Sequence, residues 1–129
     1  TINIPEPRLI TINIWDKDNV DAVEKAIMSS GLGINPVTEG VLMRLPIPEL
    51  NEERRKELSK LAAQFAEQGK IAVRNVRKDG MDKVKKLKQE GMSEDDEKIW
   101  TDEVQELTDS FITKIDDLLN EKQKDILKV

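Results

Sequence analysis

The sequence predicts an α+β protein in which a small α/β domain precedes a long antiparallel helical hairpin. Three observations carry that expectation. Ile10, Ile12 and Ile14 alternate with Thr11 and Asn13, the period-2 pattern of half-buried strands. Pro46 and Pro48 flank Ile47, and two residues without an amide hydrogen make a stiff connector rather than a continuing ladder. Beyond them, almost to Val129, apolar residues recur at helical spacing. The expected division is therefore a small α/β domain over 1–45, a hinge at Pro46, Ile47, Pro48 and Glu49, and a helical hairpin over 50–129.

Taken in order, Thr1 to Ile4 and Leu9 to Trp15 read as two strands separated by Pro5-Glu6-Pro7, a break short enough for a hairpin. Asp18 or Asn19 can cap a helix whose stripe is Val20, Val23, Ala26 and Ile27. Gly33, Pro36 and Gly40 argue for an irregular stretch after it, and Val41 to Leu45 for a third strand. In the hairpin, Asn51 is a suitable first cap. Leu58, Leu61, Phe65, Ala72, Val76, Val84 and Leu87 make one stripe, with Gly69 and Gly80 near it permitting close helix approach. Gly91-Met92-Ser93 ends that helix and starts the next, with Ser93 and Asp96 as a capping pair. The second helix carries Trp100, Val104, Leu107, Phe111, Ile115, Leu118 and Ile126. Two helices cover each other only in part, so a third is expected, from a segment upstream of Thr1 or from a partner chain.

Composition excludes more chemistry than it suggests. The 129 residues include no Cys and no His, which removes disulfides, thiol nucleophiles, thiolate metal sites and the usual neutral-pH acid–base. Glu94-Asp95-Asp96-Glu97 lacks the alternating ligands and turn glycine of a calcium loop, and acidic side chains in a first helical turn suit the macrodipole. Gly31-Leu32-Gly33 follows a helix and lacks the rest of a phosphate loop. No enzyme, metal or cofactor is expected, and no membrane contact, since the apolar runs are short.

Charge is the informative feature. The net value is −5, yet between Lys70 and Lys88 eight basic residues face only Asp79 and Asp82, whereas Glu94 to Asp125 holds twelve acids against four lysines. A helical wheel sets Lys70, Arg74, Arg77, Lys78 and Lys85 opposite Phe65, Ala72 and Val76, and so away from the hairpin seam. Such a face is either a solvated surface balanced by neighbouring acids or a docking site. Arginine at 74 and 77 favours docking, because a guanidinium holds phosphate bidentately and stacks on bases. Asn75 can donate to and accept from base edges or sugar hydroxyls, and Arg54 and Arg55 form a second small cluster.

Six ordered runs over most of the chain resemble ribosome recycling factor. They are Trp15-Asp16-Lys17, Val23-Glu24-Lys25-Ala26-Ile27, Leu32-Gly33-Ile34-Asn35-Pro36, Arg44-Leu45-Pro46-Ile47-Pro48, Glu52-Glu53-Arg54-Arg55-Lys56-Glu57-Leu58 and Ala72-Val73-Arg74-Asn75-Val76-Arg77-Lys78, with Leu107-Thr108-Asp109 following in register. The resemblance implies an L-shaped cytoplasmic protein of a three-helix bundle and a small α/β module joined by hinge strands. It implies binding to the post-termination ribosome between the subunits, and subunit splitting with elongation factor G and GTP hydrolysis by that partner. It carries contact with large-subunit ribosomal RNA onto Arg74 and Arg77, with Arg54 and Arg55 as further matches and Lys70, Asn75 and Lys78 beside them. Lys78 stands where arginine is frequent in the family. On this comparison the chain is expected to be a fragment lacking the N-terminal helix and first strands, its hairpin the remnant of the bundle. Such a chain should either self-associate through Phe65, Val76 and Phe111 or be only marginally stable. The alternative reading is a coiled-coil interaction or scaffold protein whose basic face meets an acidic protein.

Overall fold

The computed structural model describes residues 1–128. It divides into two compact units, Thr1–Asn51 and Glu52–Val129. In the first, β1 (Ile2–Glu6), β2 (Leu9–Asn13), β3 (Val37–Glu39) and β4 (Leu42–Pro46) form a sheet of order β1-β2-β4-β3. All its pairs are antiparallel. A 3-10 turn at Lys17–Asn19 leads into α1 (Val20–Ser29). The second unit is α2 (Glu52–Gln89) and α3 (Glu94–Leu127).

The alternation read in β2 sets the core of the first unit. Ile14, Val20, Met43 and Leu45 are buried, and Ile10, Ile12, Val23, Ile27 and Ile34 pack around them. Strand β2 pairs Ile10 with Leu45 and Ile12 with Met43, so one sheet face is continuously apolar and α1 lays its stripe on it. Two local expectations change. The stretch after α1 contains strand β3, because Gly40 adopts φ +65° and opens a two-residue turn that returns Glu39 to pair with Leu42. The cap also moves: Asp16 Oδ1 accepts from the Asp18 amide at 3.0 Å, while Asn19 makes no side-chain cap bond to α1.

The α2–α3 connection uses both ends of the chain's helix chemistry. Gly91, at φ +112°, lets the Met92 amide reach the Leu87 carbonyl at 3.0 Å and its own amide reach the Lys88 carbonyl at 3.1 Å. Ser93 Oγ then accepts from the Asp96 amide at 3.1 Å to start α3. The helices approach closely at Gly80, where a Cβ would sit 3.3 Å from Val104 Cγ1.

The expectation of a hairpin remnant is corrected. The described residues hold three α-helices, with a 3-10 turn opening α1, together with a four-stranded sheet. The seam between α2 and α3 also differs from the wheel. Val84 on α2 and Thr108 on α3 are buried, and Val73, Gly80 and Val104 are among the half-buried positions beside them. Phe65, Val76, Leu107 and Phe111 remain largely exposed, Val76 at 69% and Phe111 at 45%. Each helix carries an apolar arc wider than one partner covers, and the contact took the edge of the arc rather than its centre. No described helix is long and apolar enough to cross a membrane.

Candidate functional site

Rotation of α2 about its axis decides which of its basic groups are free. Lys70, expected outward, lies on the α3 side with its side chain only 18% exposed. Its Nζ donates to Asp116 Oδ1 at 2.9 Å and sits 3.4 Å from Glu67 Oε2. The hydrogen bond to Asp116 holds the Lys70 ammonium above its ordinary range. Arg74 Nη1 donates to Glu67 Oε1 at 3.3 Å, and that bond, followed by the one from Lys70, holds the Glu67 carboxyl below its ordinary range.

These shifts fix a pH dependence. Glu67 binds its proton more weakly in the folded chain, so its contribution is complete above its ordinary value of 4.5 and is lost as pH falls through the lowered one. Lys70 holds its proton more tightly, so its contribution is complete below 10.5 and is lost as pH rises through the raised value. Lys70→Met should therefore flatten the alkaline fall in the urea midpoint of the α2–α3 helices, while leaving part of the acid fall that Arg74 supports. An unchanged alkaline slope would remove Lys70 from this role.

The N-terminal pair is also engaged. Arg54 Nη1 pairs with Glu57 at 2.7 Å. Arg55 Nη1 donates to the Ile126 and Lys128 carbonyls, both at 2.8 Å, and so closes the end of α3 where carbonyls lack intrahelical donors. Arg77, half-buried, donates from Nη1 to Gln105 Oε1 at 3.1 Å, and Gln105 Nε2 donates on to Asp109 Oδ1 at 2.9 Å. Asn75 and Lys78 are exposed, and their side chains have no partner among the described residues.

Arg74, Arg77, Gln105, Thr108, Asp109 and Ile112 line a polar cleft of about 390 Å³ between the helices. An apolar groove of about 400 Å³, which Val76 and Phe111 help to line, lies along the same pair of helices. The basic segment 74–78 thus stays together with two arginines at the cleft, whereas Lys70, Arg54 and Arg55 serve contacts within the second unit. Gln105, Asp109 and Asp116 were missed by sequence reading. Part of their signal was available, since Gln105 and Asp109 stand at i,i+4 spacing on one helix.

Of the residues expected at the hinge, Pro46 closes β4 opposite Leu9. The Ile47 amide donates to the Arg8 carbonyl at 2.9 Å, and Glu49 pairs with Arg8 at 3.1 Å. Pro48 follows outside the ladder. Among the described residues no cluster of acidic side chains could hold a metal ion.

Comparison with known proteins now bears on this geometry. The family model described as "Ribosome recycling factor" matches residues 1–127. The chain is 63% identical over 129 residues to the ribosome-recycling factor of Cereibacter sphaeroides strain ATCC 17029, covering all of this chain and 69% of that protein. The Dinoroseobacter shibae factor is 64% identical with the same coverage. Among solved structures, a solution structure of ribosome recycling factor matches with a TM-score of 0.57 at 40% identity, over 100% of this chain and 68% of that one. A second, of the T. thermophilus factor and the E. coli elongation factor G bound to the E. coli post-termination complex, matches with a TM-score of 0.50 at 43% identity, over 98% of this chain and 69% of that one. Where a fragment lacking the family's first elements was expected, the family match takes in residues 1–127 of this chain, and the chain spans 69% of the length of the Cereibacter sphaeroides relative. What marks the family is carried by these residues as they stand, and the chain belongs to the ribosome recycling factor family.

Proposed function

We propose that residues 74–78 of α2 are where this chain, whose function within its family is ribosome recycling, meets the RNA of the large ribosomal subunit. The observation that carries the reading is the crowding of Arg74, Asn75, Arg77 and Lys78 into little more than one helical turn beside a polar cleft. Arg77 and Arg74 supply forked donors for phosphate, Lys78 a point charge, and Asn75 a group that can both donate and accept. Arg55 and Lys70 contribute indirectly, by tying α2 to α3. The chain acts by binding, and catalysis of a reaction is not part of its role.

Its partner in subunit splitting is elongation factor G, by analogy with the T. thermophilus factor on the post-termination complex. We place this activity in the cytoplasm, with the ribosomes. The hinge is 46–49, between a small domain at 1–45 and the helical domain at 50–129, and its two prolines limit the ways the backbone can bend there. Co-sedimentation with purified large subunits tests the docking. Saturable binding is expected, with weak capture by RNA-free acidic proteins. Equal capture by the acidic proteins would favour a scaffold role instead.

The exposed face containing Phe65, Val76, Leu107 and Phe111 gives the chain a second tendency, association with itself. Light scattering across a concentration series should show a rising apparent mass, which Val76→Lys lowers. A monomer at the highest concentrations would refute it.

A further inference from the structure

We infer that Gln105 and Asp109 on α3 are positioning residues for Arg77, fixing the direction in which its guanidinium meets an RNA phosphate. The inference rests on the docking role proposed for Arg77. Its basis is the continuous arm Arg77 Nη1 to Gln105 Oε1, 3.1 Å, and Gln105 Nε2 to Asp109 Oδ1, 2.9 Å. A side-chain amide has one acceptor and one donor end, so Asp109 fixes which end Gln105 turns toward Arg77. The arm occupies one of the five N–H donors of the guanidinium and leaves the rest for a ligand.

The arm matters because of how arginine binds. A free arginine loses much rotamer freedom on docking, and here part of that freedom is already lost in the unbound chain. Arg74 contrasts with this, since its partner Glu67 lies on its own helix and shares a carboxylate with Lys70. Docking at Arg74 competes with an ion pair, whereas Arg77 is held by a neutral group that leaves its charge available. The cleft wall formed by α3 thus decides how an α2 arginine is presented.

Five variants of the chain, bound to purified large subunits across a salt series, test this. Gln105→Ala should weaken binding about 3- to 10-fold. It should also make the salt dependence shallower although no charge is removed, an effect that loss of packing alone would not produce. In an Arg77→Ala background, Gln105→Ala should add nothing. Asp109→Asn and Asp109→Ala remove the same charge and differ in the acceptor offered to Gln105, and the asparagine variant should bind more tightly by about 2- to 5-fold. Asp109 is exposed, so these two variants keep the test valid if Gln105→Ala folds poorly. Additive effects of Gln105→Ala and Arg77→Ala, or equal binding by the two Asp109 variants, would overturn the positioning role. Should Arg77→Ala itself bind normally, the docking role fails first, and that outcome is distinct.

Discussion

Arg77→Ala should weaken binding to purified large subunits by at least about ten-fold at moderate salt. A charge-assisted hydrogen bond contributes about 1.5–3 kcal/mol, and about 1.4 kcal/mol is a factor of ten in affinity. Arg77 is positioned to deliver that contribution more fully than its neighbours, because its guanidinium is anchored on Gln105 while remaining at the cleft surface. Lys78→Ala should cost less, since an exposed ammonium on a flexible stem is a hydrated point charge without a fork. Folding should change little in either variant: Gln105 keeps its bond to Asp109, and water can replace Arg77 at its oxygen. Equilibrium binding, with a melting curve to verify the helices, measures both effects. Unchanged affinity of the alanine variant would remove Arg77 from the centre of the site.

Met43→Ala should produce the largest loss of stability, about 2–5 kcal/mol in the first unit. Met43 is 0% exposed and is the largest fully buried side chain among the described residues. It lies in β4 beside its partner Ile12 of β2, in the core against which Val23 and Ile27 of α1 pack. Only Ile14, Val20 and Leu45 are buried with it, so its removal takes away a large share of that core's packing. A loss of this size is a large share of the total for a domain of ordinary stability. Amide exchange in β2 and β4 should accelerate strongly while the helical signal of α2 and α3 persists. Unaltered protection in those strands would contradict the packing described.

The strand and helix periods were legible because each depends on local geometry alone. Ile10, Ile12 and Ile14 announced β2, and Ser93 with Asp96 announced the start of α3. Strand β3 was hidden by Gly33, Pro36 and Gly40, residues that read as irregular until Gly40 is seen to turn a hairpin. The site was half legible. Charge patterning isolated 70–78, but a wheel built on one helix cannot tell which edge of a broad apolar arc its partner will choose. That choice turned Lys70 toward Asp116 and Arg77 toward Gln105. Arg55 shows the same limit, since its acceptors lie more than seventy residues away at the end of α3.

The central claim is that this chain docks through arginine contacts to RNA phosphate on α2. The affinity for purified large subunits, measured as a function of salt for the native chain and for Arg77→Ala, tests it most directly. The account predicts a steep linear fall of log affinity with log salt, shallower in the variant by about 0.7–0.9, the share of one phosphate contact. Binding insensitive to salt, or an identical slope with Arg77 removed, would contradict it.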